Sequence, residues 1–278
     1  MKVSGGPRGA GAVVLRFAVM PTVGAALLDL LWQRYAESVP HARTFVQLAG
    51  GQFKNDHVAL RSLQRPGGGI EVFAPVFERL GWKRAGSYDF PDARLDAIHL
   101  SHPDGLPRVF VSELRMSELS PRAQQILSAL PPDEPPPIVH PGPVAPWPVL
   151  VQKLADWFCA PQVVPSEADL LELERESQYG AWMLLFGREV NHFTASVDDV
   201  ESWAARMAAA GVPMKGEIEG DKGAGLRQTA SKAAPRAVRT DRGPRQWPYA
   251  YLEIAERNGG FDGFVAQQAR QLFEMTKR

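Results

Sequence analysis

The chain has 278 residues, 45% of them hydrophobic, enough to bury one large core or two smaller ones joined by a linker. Its 31 basic and 31 acidic residues cancel, which removes any global electrostatic reason to expect nucleic acid or an anionic membrane as partner. The single cysteine, Cys159, excludes an intramolecular disulfide and fits a reducing, cytoplasmic setting.

Residues 1–20 carry Lys2, Arg8 and an apolar run interrupted by Arg16, and read as a loose N-terminus rather than a leader. No stretch approaches the roughly 20 uninterrupted apolar residues of a membrane span. Over residues 23–39 the helical spacing of Leu27, Leu28, Leu31, Trp32 and Tyr35 predicts an amphipathic helix packed on a sheet, stopped by Pro40. A strand follows at 53–62, then a helix at 71–80 with Val72, Phe73, Val76, Phe77 and Leu80 on one face and Gly81 as its stop. Residues 95–100 and 108–114 read as strands. Between Pro131 and Pro148 crowded prolines remove backbone donors and predict a linker, followed by helices at 149–158 and 167–179. Then come a strand at 188–196, a helix at 198–210 closed by Gly211, and strands at 226–231 and 249–255.

The two halves echo each other. Asn55-Asp56-His57-Val58-Ala59 resembles Val190-Asn191-His192-Phe193-Thr194, and each histidine sits in a strand preceding a helix that ends in glycine. Each half later has an apolar strand with a glutamate, Glu113 in the first and Glu253 in the second. The shared order predicts an internal duplication. The expected organisation is a loose N-terminus (1–20), a first half with an N-terminal helix (21–130), a proline-rich linker and helical insert (131–180), and a second half with a C-terminal helix (181–278).

Side chains alternate across a strand, so His57 and Arg61 share a face with Cα atoms roughly 13 Å apart, and both can converge on a ligand between them. The same parity groups His192 with Thr194, and Tyr251 with Glu253. Two imidazoles and one carboxylate from different strands would form a facial triad with open positions, which suits non-haem Fe(II) binding substrate and O2. A lone histidine is more often a satisfied polar residue than a ligand, and six histidines offer competitors. His99 and His102 face opposite sides of a strand, His41 follows a helix-ending proline and His140 lies in the linker. Glu113 stands as the rival of Glu253. The segment 220–248 holds Lys222, Arg227, Lys232, Arg236, Arg239, Arg242 and Arg245 with few acids, and reads as a solvated loop or a cationic lid that attracts dicarboxylates. Within it Gln228, Thr229 and Ser231 are candidate donors to a substrate carboxylate.

The stretch Tyr251-Leu252-Glu253-Ile254-Ala255-Glu256-Arg257, with Gly259-Gly260-Phe261 and the final Gln271-Leu272-Phe273-Glu274, resembles the C-terminal signature of 4-hydroxyphenylpyruvate dioxygenases of the vicinal-oxygen-chelate superfamily. A nearer resemblance is to the 2-oxoadipate dioxygenase/decarboxylases, or 2-hydroxyglutarate synthases. It is carried by Arg34-Tyr35-Ala36-Glu37-Ser38-Val39-Pro40, Asp56-His57-Val58-Ala59-Leu60-Arg61, Val109-Phe110-Val111-Ser112-Glu113-Leu114, the His192 segment and the Glu253 strand, from about Leu27 to the end. The resemblance implies an α+β fold of paired βαβββ modules forming a curved mixed sheet around a metal, with extra helices at the N-terminus and between the halves. It further implies His57, His192 and Glu253 as ligands of Fe(II), and Arg61 as a catalytic-site residue that binds substrate. The better-known members are considerably longer, and the segments that help wall their pocket have no equivalent here.

The implied reaction converts 2-oxoadipate and O2 into 2-hydroxyglutarate and CO2, a step of lysine degradation. The expected partners are a small 2-oxo diacid and O2, with no nucleic acid and no membrane. Two rival readings keep the same fold: a glyoxalase-like metal-dependent lyase or isomerase, and a non-catalytic ligand-binding protein.

Overall fold

A computed structural model describes residues 22–134, 146–161, 163–223, 225–265 and 273–276. The N-terminal twenty residues, His140 and most of the proline-rich segment, and the 266–272 part of the expected C-terminal helix lie outside the described residues. Among the described residues no helix is long and apolar enough to cross a membrane.

The chain opens with α1 (Val23–Ser38), capped by the Thr22 hydroxyl accepting from Ala25 N, with Leu27, Leu28, Leu31 and Tyr35 buried. Pro40 ends that helix and also starts the next, since α2 (Pro40–Leu48) has it in its first turn. A missing N–H costs nothing there. The sequence reading missed α2 because it took the proline only as a stop. The first set of strands follows, with β1 (Asn55–Gln64), α3 (Ile70–Arg79), β2 (Lys83–Phe90), β3 (Leu95–Ser101) and β4 (Arg108–Arg115). β2 is mostly exposed, so it lacks the apolar alternation that would have announced it.

Four helices lead to the second set: α4 (Pro121–Leu127), α5 (Trp147–Trp157), α6 (Glu167–Glu176) and α7 (Gln178–Phe186). The expected helix over 167–179 breaks at Ser177, whose side chain accepts from Gly180 N and so starts α7 afresh. From Tyr179 to Phe186 every residue of α7 is buried, the signature of a helix enclosed on all sides. The second set is β5 (Val190–Val197), α8 (Val200–Ala209), β6 (Leu226–Ala230), β7 (Ala234–Thr240) and β8 (Gly243–Arg257).

Among the described residues eight strands form one mixed sheet in the order β2-β3-β4-β1-β5-β8-β6, with β7 paired to β8 off that path. β1 and β5 run antiparallel at the centre, flanked by parallel partners, β4 beside β1 and β8 beside β5. This α+β arrangement places the two histidine strands side by side and each glutamate-bearing strand next to its own histidine strand.

The basic 220–248 segment is not a loop or lid. It forms β6, β7 and the start of β8, and β7 and β8 make a hairpin in which Thr240 pairs with Gly243. Arg227 bonds Glu201 at 2.8 Å, Arg236 bonds Glu189 at 2.5 Å, and Arg245 holds Glu167 through two nitrogens at 2.6 and 2.7 Å. Three of its cations are thus paired with acids on α8, on α6 and just before β5, which sequence order alone does not show.

Candidate metal centre

Thr194 marks the meeting point of three strands: its Cα is opposite His57 on β1 and opposite Glu253 on β8. Two residues away, on the same face, His192 lies opposite Ala59 and Tyr251. This register brings His57, His192 and Glu253 together, with one donor atom from each lying within 4.8 Å of the others. His57 Nε2 is 3.4 Å from Glu253 Oε1 and His192 Nε2 is 3.8 Å from Oε2. All three side chains are buried, Glu253 completely.

Burial dominates the electrostatics. It pushes the Glu253 carboxyl up to about 8, and it lowers both imidazoles, His192 strongly, so that they remain neutral. Glu253 Oε2 has no hydrogen-bond partner. Thr194 Oγ1 lies 3.1 Å from Glu253 Oε1 and 3.0 Å from His57 Nε2, so one hydroxyl proton faces two acceptors. Two neutral imidazoles, a buried carboxyl group that resists ionisation and has an unsatisfied oxygen, and an over-subscribed hydroxyl are what a divalent cation would complete, and the residues therefore fit a metal.

The cluster forms one wall of a cavity also lined by Arg61, Gln228, Phe110 and Phe264. Arg61 is buried, and burial lowers its guanidinium. Its guanidinium carbon sits 4.7 Å over the Tyr179 ring and 5.1 Å from that of Trp182, both on α7, and its Nη1 donates to Thr276 Oγ1 at 3.0 Å. The enclosed helix α7 thus fixes the plane of the arginine. Phe264 meets the His57 ring edge-on at 4.8 Å, and Tyr251 stacks on His192 at 4.6 Å.

Of the three polar residues expected to face substrate, only Gln228 reaches the cavity, and its Oε1 is buried without a partner. Strand alternation turns Thr229 to the opposite side, where its hydroxyl donates to Glu217 O at 2.6 Å. Ser231 lies past the end of β6 with its hydroxyl accepting from Leu252 N at 3.0 Å. Neither of these two lines the cavity.

Glu113 is not the first-half equivalent of Glu253. Two residues beyond each histidine, Thr194 pairs with Glu253 but Ala59 pairs with Phe110; Glu113 sits three residues further along, opposite Ser62. Its Oε2 accepts from Ile70 N at 2.7 Å and its Oε1 from Gln64 at 2.9 Å, so it serves the start of α3. His99 is buried against Tyr88, 2.9 Å from the phenol oxygen, while His41 lies in α2 and His102 beside the turn at Asp104.

Sequence reasoning missed Asp56 and Asn191. Asp56 Oδ2 lies 2.8 Å from His57 Nδ1, and Asn191 Oδ1 lies 3.0 Å from His192 Nδ1. The available signal was an oxygen-bearing side chain immediately before each histidine, at a position that simple alternation assigns to the other face.

Known proteins give the constellation its context. The chain is 28% identical over 289 aligned residues to the chloroplastic/amyloplastic 2-oxoadipate dioxygenase/decarboxylase of Oryza sativa subsp. japonica, covering 87% of this chain and 75% of that protein. The fold matches a structure named for the glyoxalase superfamily from Ralstonia eutropha JMP134, at TM-score 0.79, 25% identity and coverage of 88% and 86%. It also matches the hydroxyglutarate synthase from Oryza sativa, solved with 2-oxoadipate, at TM-score 0.76, 24% identity and coverage of 100% of this chain and 98% of that one. The greater length expected of relatives holds for the hydroxyglutarate synthase of Pseudomonas putida, of which this chain covers 62%, and is not shared by that rice chain. A sequence model of the 2-oxoadipate dioxygenase/decarboxylases matches residues 27–131 and 149–276, and the chain belongs to that family.

Proposed function

We propose that the protein is an Fe(II)-dependent enzyme that converts 2-oxoadipate and O2 into 2-hydroxyglutarate and CO2, in lysine degradation. The observation that carries this reading is Arg61, a buried guanidinium lining the same cavity as His57, His192 and Glu253. A cation enclosed this way suits a ligand with an anionic end remote from the metal.

His57, His192 and Glu253 would hold the metal. When bound, Fe(II) supplies redox chemistry with O2 and a Lewis-acid anchor for the 2-oxo acid head. Arg61 presents a planar fork to the remote carboxylate, and its position four residues along β1 from His57 sets the span at roughly 13 Å between Cα atoms, suited to an extended diacid between two long side chains. Tyr179 and Trp182 keep the fork in one plane. Gln228 offers an amide to the polar atoms of the substrate, and Phe110 and Phe264 exclude water around its methylene chain. With both imidazoles neutral, neither has a proton to release to the substrate except through its Nδ1 hydrogen bond. A cytoplasmic setting completes the reading, supported by the single cysteine.

The test is aerobic incubation of the Fe(II)-loaded protein with 2-oxoadipate. We expect equal amounts of CO2 and 2-hydroxyglutarate with matching O2 consumption. No turnover of 2-oxoadipate or neighbouring 2-oxo diacids would reject the function, and turnover undiminished under strict anaerobiosis would point to lyase or isomerase chemistry.

A further inference from the structure

The geometry points to Asp56 and Asn191 as paired positioning residues, carried by two β-bulges, that fix the tautomer and aim of His57 and His192; the inference rests on those histidines being the metal ligands. On β1 the register steps from Asn55 opposite Ala195 to His57 opposite Thr194, leaving Asp56 as the extra residue. On β5 it steps from His192 opposite Ala59 to Val190 opposite Leu60, leaving Asn191 as the extra residue. In a regular strand a neighbour points to the other face and cannot reach the histidine ring. A bulge breaks that alternation and re-aims the side chain. Both extra residues immediately precede a histidine, and both place an oxygen 2.8–3.0 Å from Nδ1.

An acceptor at Nδ1 requires the proton there and leaves Nε2 as the donor atom of each ring. In both cases Nε2 is the atom directed at Glu253. The two devices differ in charge. Asp56 is held by Arg257 through Nε at 2.7 Å and Nη2 at 2.9 Å, and by Arg108 at 3.3 Å. Asn191 has no hydrogen-bond partner on its amide nitrogen. His57 therefore faces an anchored carboxylate and His192 a neutral amide, which makes the imidazoles unequal ligands, His57 the more electron-rich.

The experiment measures metal affinity by chelator competition and histidine tautomers by ¹⁵N NMR on the Zn(II)-loaded protein. Asp56→Ala is expected to weaken metal binding about 10–100-fold and Asn191→Ala by less, while Asp56→Asn, which keeps an acceptor as Asn191 does, recovers part of the loss. The hydrogen-bonded Nδ1 proton of His57 should disappear in Asp56→Ala while that of His192 remains. Should Asp56→Ala fail to fold, Asp56→Asn and Asn191→Ala still decide the matter, the latter breaking no ion pair. A wild-type protein that binds one metal while the folded variants bind it within twofold, with unchanged tautomers, overturns the inference. A wild-type protein that binds no metal overturns the ligand assignment instead.

Discussion

Glu253 is the residue on which the proposed metal centre turns. It is completely buried, with its carboxyl raised by burial and one oxygen unpaired. Glu253→Gln keeps the shape but removes the anionic ligand, so metal affinity should fall by at least about 100-fold in a chelator competition, with the fold retained. At the other end, Arg61→Lys keeps the charge but loses the fork, and stacking on Tyr179 and Trp182 weakens. Losing a charge-assisted bidentate contact corresponds to about 1.5–3 kcal/mol, or roughly 10–100-fold in kcat/KM for 2-oxoadipate. Metal affinity should stay unchanged in that variant, and an unaltered KM would count against Arg61 as the carboxylate partner.

Single elements show how function and folding share the same strand. β4 carries Phe110 into the cavity and Glu113 to the N-terminus of α3. The preceding Gly69 has φ +79°, and a Cβ there would collide with the Glu113 carboxylate, so glycine is what lets the side chain reach the helix start. Glu113→Gln should lower stability by about 1 kcal/mol, roughly 2–4 °C in melting temperature, through loss of an anion at a helix N-terminus. Activity and metal stoichiometry should be unchanged; a loss of bound metal would show that Glu113 belongs to the centre after all. The β7–β8 hairpin teaches the complementary lesson. Its arginines and that of β6 suggested a lid in sequence, yet Arg236 and Arg245 on the hairpin and Arg227 on β6 each have an acidic partner from outside these strands.

At the scale of the whole molecule, the three proposed ligands come from β1, β5 and β8, so a bound metal would tie both halves of the sheet together. A metal at 100 times its dissociation constant should add about 2.7 kcal/mol, raising the melting temperature by roughly 5–10 °C, and His192→Ala should abolish both that shift and turnover. Acid should act partly through His99, which burial lowers to about 4 from an ordinary value of 6.5. Because the folded value lies below the unfolded one, the unfolded chain takes up protons first as pH falls from 6.5 to 4. The stability contributed by neutral His99 is full above that window and is lost within it, by up to about 3 kcal/mol. Urea unfolding at pH 7 and pH 5 should show a smaller difference in His99→Gln than in the wild type; an equal difference would assign the acid sensitivity elsewhere.

The sequence by itself determined the elements whose apolar period is strong and the residue types from which a metal site can be built. Helices α1 and α3 were legible because one buried face imposes a spacing on each, and strands β1, β3, β4 and β5 because burial on nearly every residue makes them short runs rich in apolar side chains. The repeat of a histidine segment was legible because duplication copies local order. The exposed β2 lacks such a face and left no periodic trace, while α2 was hidden by a proline that starts a helix as well as stopping one. Only the tertiary structure decided what pairing register and bulges control. It put Phe110 rather than Glu113 at the position equivalent to Glu253, turned Thr229 and Ser231 away while leaving Gln228 inside, and folded Asp56 and Asn191 back onto their neighbouring histidines. A shift of one residue in register exchanges the two faces of a strand, and no local spacing records where such a shift occurs.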